Sequence, residues 1–537
     1  MRVAVIGSGP SGWHATRALL DRNADVTVID AGETLPPDRQ ELAAALASMP
    51  ASDWPPDLIE RARRNPTIGG GILPKKLLFG SDFIYAADRP FAPTHVLVGG
   101  RAPLPTFAQG GFSVVWGGAS LPVDDCDIAD WPIRRADLAP FYRRVLDDMP
   151  LSGGGGTLHE AFPAYTDHLG DLDPGGQGRS LLRDLDRVRD RLRSDGTFYG
   201  RARLAVHTED TAYGSACVRC GLCFAGCPWD SIYSTAPRVR ACAASGRIRY
   251  QQGLAVVDLE EGAQGVTLAL MSTAGGAHRT ERFDAVFVAG GPINSTRLLL
   301  SAGRRFNERV ELKESQKFVV PMLRLSDAAE ALEESTNTLA AVFYETKVPE
   351  ISDHWIHVQM TSVNDLMLRH LQLQSGQRFS AVRPLLAPAL RRAMFCWVAL
   401  HSDHSSRVVL TLRPEGRNGV STLDLDVDVR PAARRTARHV ARALFRQALA
   451  YRSLMMFPTI KFSNPGSGTH CGASFPMRRE PRDRFDSDVF GRPFGWKRVF
   501  VVDASVLPSL PATTTAFTVM ANAFRIAASA PLPDNAA

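Results

Sequence analysis

Residues 2–32 read RVAVIGSGPSGWHATRALLDRNADVTVIDAG. An apolar run, a glycine-rich turn, a helix-forming stretch and a second apolar run predict strand, turn, helix and strand. This is the opening βαβ unit of a parallel α/β sheet. Within it Gly7, Gly9 and Gly12 form G-x-G-x-x-G. Gly7 permits the tight turn, Gly9 lets the backbone approach a pyrophosphate at the helix N-terminus, and Gly12 permits close strand–helix packing. Ser11 lies in the same turn, and Asp30, ending the second strand, can accept a free ribose hydroxyl. Position, flanking strand and acidic residue together predict a dinucleotide site, without separating one dinucleotide from another.

The chain has 537 residues, 45% hydrophobic and 22% charged, long enough for two or three domains with substantial cores. A net charge of +6 is mild for this length, and no Lys/Arg cluster is interleaved with aromatics as a nucleic-acid groove requires. Nucleic-acid binding is not expected. Met1 runs directly into the first strand, which leaves no room for a signal peptide. No uncharged apolar run of about 18 residues suggests a membrane span; the stretch 504–524 is broken by Pro508, Pro511 and the threonines 513–515. Eight cysteines, four of them in one short run, do not suggest a disulfide framework. A reducing cytoplasm is expected, with export alongside a signal-bearing partner left open.

Residues 33–109 are rich in proline and carry a triple glycine, and their length predicts a functional lid or excursion. GGGG at 153–156 reads as a surface linker, and a helix is expected in DWPIRRADLAPFYRRVLDDM. Apolar strands follow the cysteine run, and between 305 and 465 the chain alternates strand-like stretches such as KFVVPMLRL and RVVLTLRP with helical ones. The expected division is 1–304 for dinucleotide binding, including the lid and a cysteine-rich loop at 215–230, then 305–465 for substrate. Residues 466–537 would return to the first domain with active-site segments. A helix over 432–455 puts Arg435, Arg438, Arg442 and Arg446 on one face. That face is either a basic docking surface or a solvated side opposite packed Val440, Leu444, Phe445 and Leu449.

Cys217, Cys220, Cys223 and Cys227 occupy CVRCGLCFAGCP, spaced C-x2-C-x2-C-x3-C-P. This matches the bacterial ferredoxin run, whose thiolates hold an iron–sulfur cluster. In two-cluster ferredoxins the fourth cysteine serves the other cluster, and no second run is present here. A [3Fe–4S] centre therefore competes with a [4Fe–4S] one. Structural zinc and plain buried thiols are the alternatives, although zinc sites more often pair two separated knuckles.

GGFSVVWGG at 110–118, AGGPINSTRLLLSA at 289–302, and HCGASFPM with VFVVDASVLPSLPATTTAFTVMANA within 470–523 resemble the glucose-methanol-choline (GMC) flavoprotein oxidoreductases. The cysteine-rich loop and the DWPI segment resemble the branch of bacterial FAD-dependent glucose, sorbitol and gluconate dehydrogenase catalytic subunits. The likeness is faint across 305–465. It implies the GMC fold: a Rossmann-like α/β FAD-binding domain interleaved with an α+β substrate domain containing an antiparallel sheet. It also implies FAD held non-covalently, because Val115 stands where some members carry the attaching histidine. Gly110, Gly111, Trp116 and Gly117 match the segment along the flavin, and Asp503 and Ala504 match the segment reaching its ribityl–phosphate arm. Ala289 and Thr515 are further cofactor candidates, and Val256 would line the adenine.

His470 matches the family's catalytic base, a role suited to an imidazole near neutrality. Opposite it the family places Asn or a second His, where this chain has Thr514, a hydroxyl that orients but does not titrate near pH 7. The implied activity is an FAD-dependent dehydrogenase oxidising a small-molecule alcohol on a sugar, polyol or glycosylated metabolite. Its electrons would leave through the cysteine-bound cluster to an acceptor protein or small subunit. The alternatives are an oxidase or isomerase-like flavoenzyme with structural cysteines, and a flavin electron-transfer subunit without alcohol chemistry.

Overall fold

The computed structural model describes residues 1–65, 76–85, 94–96, 105–275, 279–326, 328, 334–363, 368, 385–414, 420–466, 468 and 470–532. Its first sheet is parallel, in the order Val499–Val501, Ala285–Val288, Arg2–Ile6, Asp25–Asp30, Arg249–Gln252. All but the polar edge strand Arg249–Gln252 are largely apolar on both faces, as a sheet covered on both sides demands. On one side the fingerprint helix Pro10–Asp21 packs against the closing helix Thr515–Ser529. A three-stranded antiparallel sheet, Leu254–Gly262, Gly265–Ser272 and Arg279–Phe283, is inserted in sequence between the parallel strands Arg249–Gln252 and Ala285–Val288.

The second large sheet is antiparallel and alternates sharply. Its order is Ser453–Met455, Lys317–Arg324, Ala393–Ala399, Ser352–Ser362, Val342–Val348, Phe198–Arg201, with Lys461–Phe462 added onto Lys317–Arg324. One face buries Phe318, Val320, Val358, Val398 and Tyr344 against Val440, Ala441 and Leu444 of the helix Pro431–Ala450. The period of two then commits Lys317, His357, Gln359, Trp397 and Glu345 to the other face. Register places both Lys317 and His357 opposite Ala399, and Glu345 opposite His357.

Chain order and sheet membership part company here. Phe198–Arg201, from the first 304 residues, forms an edge of the antiparallel sheet. Arg309–Glu314, Arg407–Arg413 and Thr422–Asp428 form a further sheet with Thr94–Val96 and Cys471–Gly472. The long helix stops at Ala450, five residues short of expectation, because Arg452 turns with φ 55° into the strand Ser453–Met455. Val440 and Leu444 are packed, but Leu449 is 55% exposed, since five residues beyond Leu444 the helix has rotated away from the sheet. The four arginines are solvated. Glycines 153–156 are no surface linker: a side chain at Gly153 would strike Ala202 O at 2.4 Å, and one at Gly156 would strike Tyr199 O at 2.2 Å.

Within 33–109, the helices Pro37–Ala47 and Pro56–Arg63 join Trp54 and Phe79 in an apolar cluster around Leu222 and Cys220. Residues 66–75, 86–93 and 97–104 of the expected lid lie outside the described residues. All eight cysteines are free, and no helix among the described residues is long and apolar enough to cross a membrane.

Candidate active site

A cavity opens at the carboxyl ends of the parallel strands, where doubly wound sheets take their ligands. Gly7, Gly9, Ser11, Asp30, Gly111, Val256 and Ala289 all line it, drawn together from four distant segments. Gly12 stands behind: a Cβ there would lie 2.0 Å from Gly7 O. The helices Pro10–Asp21 and Pro292–Ala302 both begin at this cavity, at Gly9 and Gly291, with no side chain capping either end. Two uncapped N-termini offer backbone N–H groups to an anion. Arg297, also lining the cavity, donates to Val256 O at 3.1 Å while its buried Nη1 has no partner. Burial pulls its pKa down to about 10. An orphaned guanidinium donor and two open helix ends fit a diphosphate-bearing dinucleotide.

Asp30 sits at the far edge, accepting from the Ser8 hydroxyl and from Tyr250 OH at 3.1 Å. Burial pushes its carboxyl up to about 6, against those hydrogen bonds. Ser8 in turn accepts from Gly110 N at 2.8 Å, fixing the fingerprint to the second glycine-rich segment. Trp116 is anchored on both ends: its indole N–H donates to Tyr233 O at 2.7 Å, and its carbonyl accepts from the Lys76 ammonium at 2.8 Å. Gly117 faces open space, with nothing within 4 Å of where a Cβ would be. The Asp503 carboxylate is a strut, accepting from Ser295 Oγ at 2.5 Å and from Ser505 N at 2.9 Å. Ala504 O accepts from Ala473 N at 2.9 Å, which seats the segment after His470 against it. Thr515 is buried at the start of the closing helix.

His470 precedes Cys471, which lines the cavity. Its carbonyl accepts from Ser315 N at 3.0 Å, its Nδ1 is buried without a partner, and its Nε2 lies 3.4 Å from Lys317 Nζ. Burial, then the positive charge of Lys317 and the nearby His357, hold this imidazole well below its ordinary pKa, so it is neutral at pH 7. Burial also pulls Lys317 down to about 8. Behind them His357 Nδ1 meets Glu345 Oε1 at 2.5 Å, and Gln359 Nε2 lies 2.9 Å from His357 Nε2. Sequence reading missed Lys317, His357 and Gln359; the available signal was the pair His357 and Gln359, two apart within the strand stretch HWIHVQM, with none for Lys317.

Thr514 does not stand where a substrate oxygen could use it. Its hydroxyl accepts from Leu121 N at 2.6 Å and donates to Leu121 O at 3.4 Å, so its single donor proton is committed to the backbone of buried Leu121.

In the 215–230 loop the charges of Cys223 and Cys227 act on both Cys217 and Cys220, and that of Cys227 acts on Cys223. Each sulfur takes a backbone N–H: Cys223 from Thr338 at 3.5 Å, Cys227 from Ser231 at 3.2 Å, and Cys217 and Cys220 from Arg219 and Leu222. Burial nevertheless pushes Cys217 up to about 11 and Cys220 up to about 12. Lys76 lies close enough to Cys223 and Cys227 for their charges to counter the burial that brings it down to about 8. Tetrahedral zinc with ~2.3 Å bonds would need sulfurs roughly 3.8 Å apart. Among the described residues, the only three metal-ligating groups with all atoms within 4.8 Å are His354, His401 and Asp403. There the two rings stack 3.7 Å apart at 16°, a geometry that aims their lone pairs side by side, not at one ion.

Residues 405–523 match the family model described as GMC oxidoreductase. No curated protein matches the chain in sequence. The fold is similar to that of pyridoxine 4-oxidase from Mesorbium loti, with TM-score 0.56 and 14% identity over 98% of each chain. It is likewise similar to an FAD-dependent oxidoreductase from Chaetomium thermophilum in complex with a butanamide fragment, with TM-score 0.55 and 12% identity over 98% of each chain.

Proposed function

We propose, from the premise that this chain is a GMC oxidoreductase working through FAD on CH–OH groups, that it dehydrogenates a sugar, polyol or glycosylated alcohol. The proposed branch is that of the bacterial glucose, sorbitol and gluconate dehydrogenase catalytic subunits. FAD, when bound, supplies the acceptor for the hydride leaving the alcohol carbon. The chain's own residues do the rest. Gly7, Gly9, Asp30 and Arg297 hold the ADP half, and the 110–117 segment backs the flavin. His470 takes the hydroxyl proton at Nε2. The observation that carries this reading is the buried His470, next in sequence to a cavity residue, with its Nδ1 unpartnered and its Nε2 3.4 Å from Lys317 Nζ; burial and that charge favour the unprotonated imidazole a general base needs.

Cys217, Cys220, Cys223 and Cys227 would hold an iron–sulfur cluster, which would pass electrons singly to an acceptor protein or small subunit. The amide donated to each sulfur supports that assignment, since such bonds favour thiolate. A second reading, an oxidase with structural cysteines, is favoured by the burial that raises the same thiols. The test is the visible spectrum of anaerobically purified protein with iron and sulfide assays, followed by addition of sorbitol, gluconate, pyridoxine and benzyl alcohol. Bleaching of a yellow, sulfide-containing protein is expected. A yellow protein without sulfide that releases peroxide in air supports the oxidase. Flavin that no alcohol bleaches leaves only electron transfer.

A further inference from the structure

We infer that Lys317 donates the hydrogen bond that receives the substrate oxygen opposite His470, a catalytic role the family pattern would give to residue 514. The inference rests on the alcohol-oxidising reading above and adds a residue to it. Three observations converge on Lys317. The hydroxyl of Thr514 is committed to Leu121, so the expected donor is absent from the site. Lys317 Nζ lies 3.4 Å from His470 Nε2, the only side-chain contact recorded for either nitrogen among the described residues. Among the described residues no carboxylate acts on the ammonium to offset its burial, which alone lowers its pKa. An unpaired buried cation is costly and calls for an anionic or strongly accepting partner.

The contact also fixes a tautomer. An ammonium can only donate. Facing it, Nε2 must present its lone pair and the ring proton must sit on Nδ1. The same lone pair is what an alcohol O–H needs. A hydroxyl oxygen entering between the two nitrogens donates its proton to Nε2 and accepts an N–H from Lys317. On oxidation the C–H bond gives its hydride to FAD, the O–H proton passes to Nε2, and the C–O bond becomes C=O. Lys317 loses no proton; its N–H stays aimed at the oxygen while negative charge builds there. A donor so placed acts on the transition state more than on the ground state.

The facing groups are few. On Lys317's own sheet, His357 lies two strands away across Ala393–Ala399, with its Glu345 partner on the strand beyond, and His470 comes from another segment of the chain. The chain has only seven lysines, so protein labelled with 13Cε-lysine can be read signal by signal. In flavin-loaded protein, a signal abolished by Lys317→Met is expected to titrate near 8 and to move in His470→Gln. Titration at about 10.4, with the exposed lysines, overturns the inference. In parallel, Lys317→Met is expected to retain flavin but to bleach with alcohol about 10²–10³-fold more slowly. The wild-type alkaline limb near pH 8 should be lost in that variant, and Lys317→Arg should recover part of the rate. A folded, flavin-replete Lys317→Met that bleaches at the wild-type rate also overturns it. If no alcohol bleaches the wild type, the alcohol reading fails and takes the catalytic role with it. The titration would still report whether the ammonium is held against His470.

Discussion

Three glycines around the dinucleotide cavity separate what the fold needs from what the cofactor needs. At Gly12 a Cβ would sit 2.0 Å from Gly7 O and 2.9 Å from Gly7 C, against the 3.4 Å where ordinary contact begins. Both partners are backbone, so relief requires the turn to move off the helix. At Gly111 the clash is milder, 3.0 Å to Gly9 Cα, but φ is +57°. At Gly117 nothing lies within 4 Å and φ is unremarkable. Gly12→Ala should cost about 1–3 kcal/mol of overpacking, partly offset by up to ~1 kcal/mol of helix propensity. For a chain this long that lowers Tm by at most a few degrees. The flavin suffers more, because the displaced turn carries the phosphate-facing N–H groups: ~2 kcal/mol there is about 30-fold in affinity. Gly117→Ala should melt like the wild type once both are stripped of flavin, yet bind FAD at least ~10-fold more weakly. Differential scanning calorimetry on stripped protein and fluorescence titration with FAD read the two quantities. A Gly117→Ala that binds FAD normally would refute the placement of 110–117 along the flavin. A Gly12→Ala that does so would refute the fingerprint itself.

His470→Ala should keep its flavin and bleach about 10²–10⁴-fold more slowly in stopped-flow absorbance. Because the folded His470 pKa is lowered while the unfolded one stays near 6.5, the unfolded chain binds more protons below that value. Urea midpoints should therefore fall as pH drops below 6.5, and less steeply in His470→Ala. Thr514→Val should cost about 1–3 kcal/mol in denaturant titration by leaving Leu121 N–H unsatisfied, with turnover within a few-fold of wild type. Cys223→Ser should lower iron and sulfide content and slow reduction of a one-electron dye, while anaerobic bleaching of the flavin by alcohol continues.

The sequence made legible whatever is enforced locally. The fingerprint works because Gly7, Gly9, Gly12 and Asp30 answer to constraints contained in one βαβ unit, and the cavity contains Asp30 and two of those glycines as expected. The helix Arg135–Leu146 and the closing helix carry their own periodicity. What was hidden is set by partners far away. Thr514 and Leu121 are separated by 393 positions, so nothing beside Thr514 announces that its hydroxyl is spent. Lys317 opens a strand whose other residues are largely apolar, where a lysine ordinarily marks a solvent edge; only the register with Ala393–Ala399 and Ser352–Ser362 turns it toward His470. The glycines at 153–156 look like a flexible linker until the edge strand Phe198–Arg201 is laid against them.

The buried cations give these separate sites a common logic. Arg297, with an unpartnered Nη1, lines the cavity where two uncapped helices begin, Lys76 donates to the Trp116 carbonyl and feels the Cys223 and Cys227 charges, and Lys317 lies beside His470. Among the described residues no carboxylate acts on Lys76 or Lys317, and Asp258 is the one that acts on Arg297. Burying a charge without a partner is unfavourable unless something else brings the opposite charge. A chain that buries three such cations is arranged to be completed by negative charge that is brought to them or that forms beside them. On the proposed function, diphosphate would meet Arg297, the chain's own cysteine thiolates would meet Lys76, and the oxygen of an alcohol losing its proton would meet Lys317. The apo protein should accordingly gain stability from each occupant separately. FAD added to stripped protein should raise Tm less in Arg297→Met than in the wild type, while Lys76→Met should leave that increment intact and lower the iron retained instead. Equal losses of both increments in both variants would mean that the cations merely brace the fold.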